Sequence, residues 1–128
     1  MAESNGFLID THFFIWSMDK TKNLSLQIKS LIEDPRNDIF ISVASVWEMI
    51  IKRSLGKLKL PRDIERGIKS AGFKILAIEI SHVLGVEKLP PHHKDPFDRL
   101  LVAQAKAVGL IILTDDSKIK KYNVAVLN

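Results

Sequence analysis

The chain has 128 residues, 46% apolar and 27% charged, which fits one domain with its own core and argues against a disordered chain or a fibrous repeat. It contains no cysteine, so thiol nucleophiles, thiolate zinc sites and disulfide frameworks are excluded. Nineteen basic and fifteen acidic residues leave a net charge of +4, a lean toward polyanions milder than that of a dedicated DNA-binding module. The expectation is a single domain over residues 1–128, with residues 1–5 as a loose N-terminus. No apolar run approaches the ~18 residues that span a bilayer. With no basic segment ahead of the first apolar run, no secretory leader is expected. The chain therefore reads as cytoplasmic, without a membrane partner.

Residues 6–10 (GFLID) form an apolar run ending in an acid and predict a buried strand. Residues 11–18, with Phe13, Phe14 and Trp16, predict one or two helical turns. Over residues 24–34, Leu24, Ile28, Leu31 and Ile32 share a helical face that Pro35 ends. Residues 39–41 (IFI) predict a second strand. Ser42 can then cap a helix carrying Val43, Val46, Trp47 and Ile50, with Gly56 at its end. Pro61 and Arg62 open another helix, closed by Gly72, and residues 73–78 predict a third strand. A short helix over 81–89 leads to a polar loop at 90–95 (PPHHKD). Residues 97–108 form a strongly patterned helix with Gly109 as its stop. A fourth strand at 110–113, a short helix at 114–121 and an edge-like strand at 124–127 follow. This alternation predicts an α/β sandwich around a mostly parallel sheet of about five strands. In such sheets ligands sit beyond the carboxyl ends of the strands, near a switch in strand order.

Asp10 ends the first strand, and Asp115 and Asp116 end the fourth, so both sites fall on that rim. For any one of these acids, capping the next helix is the commoner role. Asp98 says more. With Asp95 as cap and Pro96 in the first turn it occupies the capping-box position. Yet it projects on the face of Leu101, Val102 and Ala105, opposite Arg99 and Lys106. A carboxylate on an apolar face needs a partner, either a metal ion or a buried base. Glu48 repeats the pattern among Val46, Trp47, Met49, Ile50 and Ile51; its bland alternative is an i,i+4 pair with Lys52 worth about 0.3–0.5 kcal/mol.

Carboxylates crowded on one rim repel and raise each other's pKa, and a hard divalent cation relieves the repulsion. Oxygen donors without cysteine favour Mg²⁺ or Mn²⁺, which activate water and stabilise charge on a phosphodiester. Thr11, Lys52, His92, His93, Lys94, Arg99 and Thr114 are candidates to hold the polyanion. For His92 and His93 a solvated loop is the commoner reading, and His12 either approaches the site or packs under the sheet. The aromatic surplus of Phe13, Phe14 and Trp16 marks an interface, or else a helix buried on both sides.

FLIDTHFFIW, SVASVWEMIIKRSLGKLKLP, LPPHHKDPFDRLLVAQAKAVG and ILTDDSKIKKY occur in this order and together resemble the PIN domain family (PilT N-terminus), in particular the small VapC-type toxins of toxin–antitoxin pairs. The resemblance spans residues 7–127. It implies a PIN-like sandwich with a five-stranded parallel sheet and a metal-dependent endoribonuclease activity. The family's acids fall on Asp10, Glu48, Asp98 and Asp116, with Thr114 as hydroxyl companion and Asp115 as the competing choice for the fourth. The resemblance also implies an RNA substrate, a homodimer and a separate antitoxin chain laid along the acidic groove. A phosphoacceptor domain would want an acidic pair after the first strand, where Asp10 is followed by Thr11. A dinucleotide-binding domain would want a glycine-rich turn that is missing here. A catalytically silent PIN-like RNA- or protein-binding module is the alternative, and acids at all four positions disfavour it.

Overall fold

Strand β1 (Gly6–Ile9) is the axis of the molecule, and in a computed structural model that describes residues 6–19 and 24–128 it is apolar on both faces. The loose N-terminus expected at residues 1–5 lies outside the described residues. Strands β2 (Asp38–Ser42), β3 (Lys74–Leu76), β4 (Ile111–Leu113) and β5 (Val126–Leu127) complete a five-stranded sheet in the order β3-β2-β1-β4-β5. Every pairing is parallel, with Ile9 opposite both Ile41 and Leu113.

Alternation along β1 divides the core into two layers. Phe7 and Ile9 pack with Phe14 of α1 (Thr11–Met18), Ile28 of α2 (Leu26–Glu33), Met49 of α3 (Val43–Ser54) and Ile68 of α4 (Ile64–Ser70). Leu8 points the other way, onto Leu101, Val102 and Ala105 of α6 (Pro96–Val108), with Ile119 and Tyr122 beside them. Helix α5 (Ile80–Val86) lies along α6. A parallel sheet covered on both faces requires such doubly apolar strands.

One polar network crosses the second layer. Fully buried Gln104 accepts from the Ser42 hydroxyl at 2.6 Å and donates to the Ala77 carbonyl at 3.3 Å. It ties α6 to the carboxyl end of β2 and to the segment after β3, where a polar side chain left without partners would be costly.

The expected elements are present, with shifted ends. The helix expected from Pro61 begins at Ile64, because the Asp63 carboxylate caps it by accepting from the Arg66 N–H. The third strand shrinks to Lys74–Leu76, and the short helix after it starts at Ile80 with a cap that pairs Glu79 and His82. The helix expected over 114–121 is reduced to a 3₁₀ turn at Ile119–Lys121. There Asp116 Oδ1 accepts from the Lys118 and Ile119 N–H groups and holds the chain in a turn first. Of the two readings of the aromatic surplus, burial within the monomer holds for Phe13 and Phe14, which pack inside the first layer, while Trp16 is half-buried beside them.

Candidate metal centre

Strand order reverses at β1, which lies between β2 and β4, so the crevice expected for a ligand opens beyond its carboxyl end. Asp10 leaves β1 there as the cap of α1. Its Oδ1 accepts from the Phe13 N–H at 2.7 Å and its Oδ2 from the Thr114 hydroxyl at 2.5 Å. Capping and rim position are thus both real for this residue. Burial dominates its electrostatics and pushes its pKa up to about 6, against the Thr114 and Phe13 hydrogen bonds.

Glu48 projects from α3 toward the same crevice. Its Oε2 lies 3.4 Å from Lys52 Nζ, so the i,i+4 pair forms. Its Oε1 is buried and, among the described residues, is the only buried side-chain polar atom without a hydrogen-bond partner. A carboxylate oxygen in that condition is costly to bury. One turn back, buried Thr11 of α1 donates to the Ser45 hydroxyl at 2.8 Å and holds α1 against α3.

Asp98 sits in the first turn of α6, but the cap there is Asp95 alone. Asp95 Oδ1 accepts from the Phe97 N–H at 2.8 Å and from the Asp98 N–H at 3.1 Å. The Asp95 N–H donates to His93 Nδ1 instead of to Asp98, so the reciprocal capping box does not close. The Asp98 carboxyl is left to the crevice. Burial, then the charges of Asp95, Glu48 and Asp116, push its pKa up to about 7, with His93 opposing. For Asp116 burial also pulls upward, but the His93 hydrogen bond and the Lys118 and Ile119 amides outweigh it and hold the carboxyl below its ordinary range.

Asp10, Glu48, Asp98, Asp115 and Asp116 line one cleft of about 340 Å³, together with Thr11, His12 and Lys52. The four acids singled out from the sequence are therefore brought together, and Asp115 joins them as a fifth. His12, left open by the sequence, is exposed on the cleft side. Thr114 is buried behind Asp10. Other candidates lie elsewhere. His92 turns away and stacks edge-on against Tyr122, ring centroids 5.0 Å apart. The Arg99 guanidinium donates to the carbonyls of Pro90 (3.0 Å), Val86 (3.0 Å) and Leu89 (3.4 Å) and to the Tyr122 hydroxyl (3.1 Å), so it braces the 86–95 segment. His93 does not extend into solvent. Its side chain is 10% exposed, and Nε2 lies 3.1 Å from Asp98 Oδ2 and 3.2 Å from Asp116 Oδ2.

The residues present fit a hard divalent cation. The donors are carboxylate oxygens from separate elements, none is sulfur, and one is a buried oxygen that no proton donor among the described residues satisfies.

A family model described as PIN domain matches residues 7–125. No curated protein matches the chain. Among solved structures, the fold is similar to VapBC2 from Rickettsia felis bound to a DNA fragment from its promoter, with TM-score 0.69, 14% identity and coverage of 96% of this chain and 98% of that one. It is similar to FitAcB from Neisseria gonorrhoeae, with TM-score 0.68, 17% identity and 95% and 96% coverage. A toxin–antitoxin complex from Klebsiella pneumoniae matches with TM-score 0.65, 18% identity and 95% and 96% coverage.

Proposed function

The chain belongs to the PIN domain family, and on that premise we propose that it is a VapC-type toxin, an endoribonuclease that uses Mg²⁺ or Mn²⁺ in the acidic cleft. The observation that carries this reading is Glu48 Oε1, a buried carboxylate oxygen without a partner in the wall of a cleft that four other acids share. Asp10, Glu48, Asp98 and Asp116 would hold the cation, with Asp115 at the edge. When bound, such an ion lowers the pKa of water and stabilises charge on a phosphodiester. The chain's own residues prepare the site. Thr114 and the Phe13 amide fix both oxygens of Asp10, and Lys52 brings a cation to the cleft wall where a phosphate would lie.

The purified chain is expected to cleave single-stranded RNA with Mg²⁺ or Mn²⁺ and to stop in excess EDTA. Cleavage that persists undiminished in chelator contradicts the metal mechanism. RNA binding with no cleavage under any divalent ion would instead favour a silent binding module.

The partner is a separate antitoxin chain, a reading supported by the toxin–antitoxin complexes among the structural neighbours. The compartment is the cytoplasm; no described helix is long and apolar enough to cross a membrane. A homodimer also belongs to this reading. Its support is on α3, where Val43, Trp47 and Ile51 form an exposed apolar stripe one turn apart, continued by Leu55, with Trp47 61% exposed. Sedimentation at micromolar concentration is expected to give a dimer that Trp47→Glu dissociates. A wild-type monomer contradicts it.

A further inference from the structure

We propose that His93 is a positioning residue whose Nε2–H, hydrogen-bonded to Asp116 and against Asp98, sets the spacing of the two carboxylates, and that it is not a metal ligand. This rests on the metal-site reading above. By distance alone His93 qualifies as a ligand, since one donor atom from each of His93, Asp98 and Asp116 lies within 4.8 Å of the others. The hydrogen-bond partners of the ring argue otherwise. His93 Nδ1 accepts the Asp95 N–H at 3.1 Å, which assigns the proton of the neutral ring to Nε2, the nitrogen that faces both carboxylates. A coordinating imidazole presents a bare nitrogen to the ion and donates through the other one. Here the arrangement is reversed. Ligation would need the proton on Nδ1, where it would confront the Asp95 N–H.

The ring is held in place from outside the cleft. The His93 N–H donates to the Tyr122 hydroxyl at 2.9 Å, and Arg99 donates to the same hydroxyl and to carbonyls along the segment that precedes His93. Asp98 comes from α6 and Asp116 from the turn after β4, so no single element sets their separation. The His93 ring does so: its Nε2 is hydrogen-bonded to Asp116 Oδ2 at 3.2 Å and lies 3.1 Å from Asp98 Oδ2. A carboxylate oxygen has two lone pairs, so this bond leaves Asp116 able to bind a cation as well.

The test uses the wild-type chain labelled with ¹⁵N at histidine. Long-range ¹H–¹⁵N correlation spectra, metal-free and with saturating Mg²⁺, are expected to show His93 protonated on Nε2 and bare on Nδ1 in both states. By calorimetry, His93→Gln, which keeps an N–H donor, should retain Mg²⁺ affinity within about threefold, and His93→Ala should lose about tenfold or more. A proton on Nδ1 while Mg²⁺ binds overturns the proposal alone and makes His93 a ligand. Unchanged affinity in His93→Ala overturns it too. Failure of Mg²⁺ to bind the wild-type chain overturns the metal site itself, and the positioning role with it.

Discussion

Asp98→Asn is expected to lower RNA cleavage by more than about 100-fold while the metal-free protein becomes more stable than wild type. The activity loss follows from removing a charged oxygen donor from the cation site. The stability gain follows from geometry. Asp95 alone caps α6, so Asp98 performs no capping that an amide would forfeit. Its burial and its neighbours Asp95, Glu48 and Asp116 make the charged form unfavourable, which is why its pKa stands at about 7. An uncharged asparagine escapes that cost and still offers an oxygen to His93. Discounted for coupling within the acid cluster, the gain at about pH 8 is about 1–2 kcal/mol, or about 4–8 °C in Tm. Thermal unfolding in EDTA measures it. A marked loss of stability would instead make Asp98 a structural residue.

The second large effect is the pH dependence of the metal-free protein, which should be more stable at about pH 5.5 than at about pH 8 by about 2 kcal/mol. Asp10 and Asp98 have folded pKa values of about 6 and about 7, above the ordinary carboxylate value. Between about pH 4 and pH 7 the folded chain therefore binds more protons than the unfolded one, and stability falls as pH rises through that window. Above it both acids are charged and the penalty is complete. Asp116, held low, works in the opposite direction, but only in more acidic solution. Saturating Mg²⁺ should stabilise the protein most at the alkaline end, where its ligands are already deprotonated, and so cancel or reverse the slope. In Asp98→Asn the metal-free slope should shrink. Denaturant unfolding at several pH values reads all three results, and a flat profile for metal-free wild type contradicts the crowding of acids.

Much of the fold is legible locally. The run GFLI has no polar face, so it must be covered on both sides, and β1 is the strand between both core layers. Helix α6 is bracketed by its own residues, Asp95 and Pro96 at one end and Gly109 at φ 81° at the other, a conformation that suits glycine. The acids were legible for a related reason. A strand end places Asp10 and Asp116 on one rim, and the apolar faces around Glu48 and Asp98 demand a partner for each charge.

What local pattern could not supply is contact between distant segments. A polar loop reading PPHHKD looks solvated until Tyr122, 29 residues beyond His93, is seen to accept its N–H. The same contacts take Arg99 away from RNA and give it the loop to brace. Residues 114–118 read as helical, yet Thr114 donates to Asp10 across 104 residues and leaves that stretch as a turn. Gln104 did carry a signal: an amide between Leu101, Val102 and Ala105 has to find partners across the core, and it finds Ser42 and Ala77.

The most direct measurement is a calorimetric titration of Mn²⁺ into metal-free wild-type protein and into Glu48→Gln at the same pH. A divalent-cation site completed by the unpartnered Glu48 oxygen predicts saturable, stoichiometric binding by the wild type and an affinity at least about 100-fold lower in the variant. No saturable binding by the wild type, or equal binding by both, would contradict it.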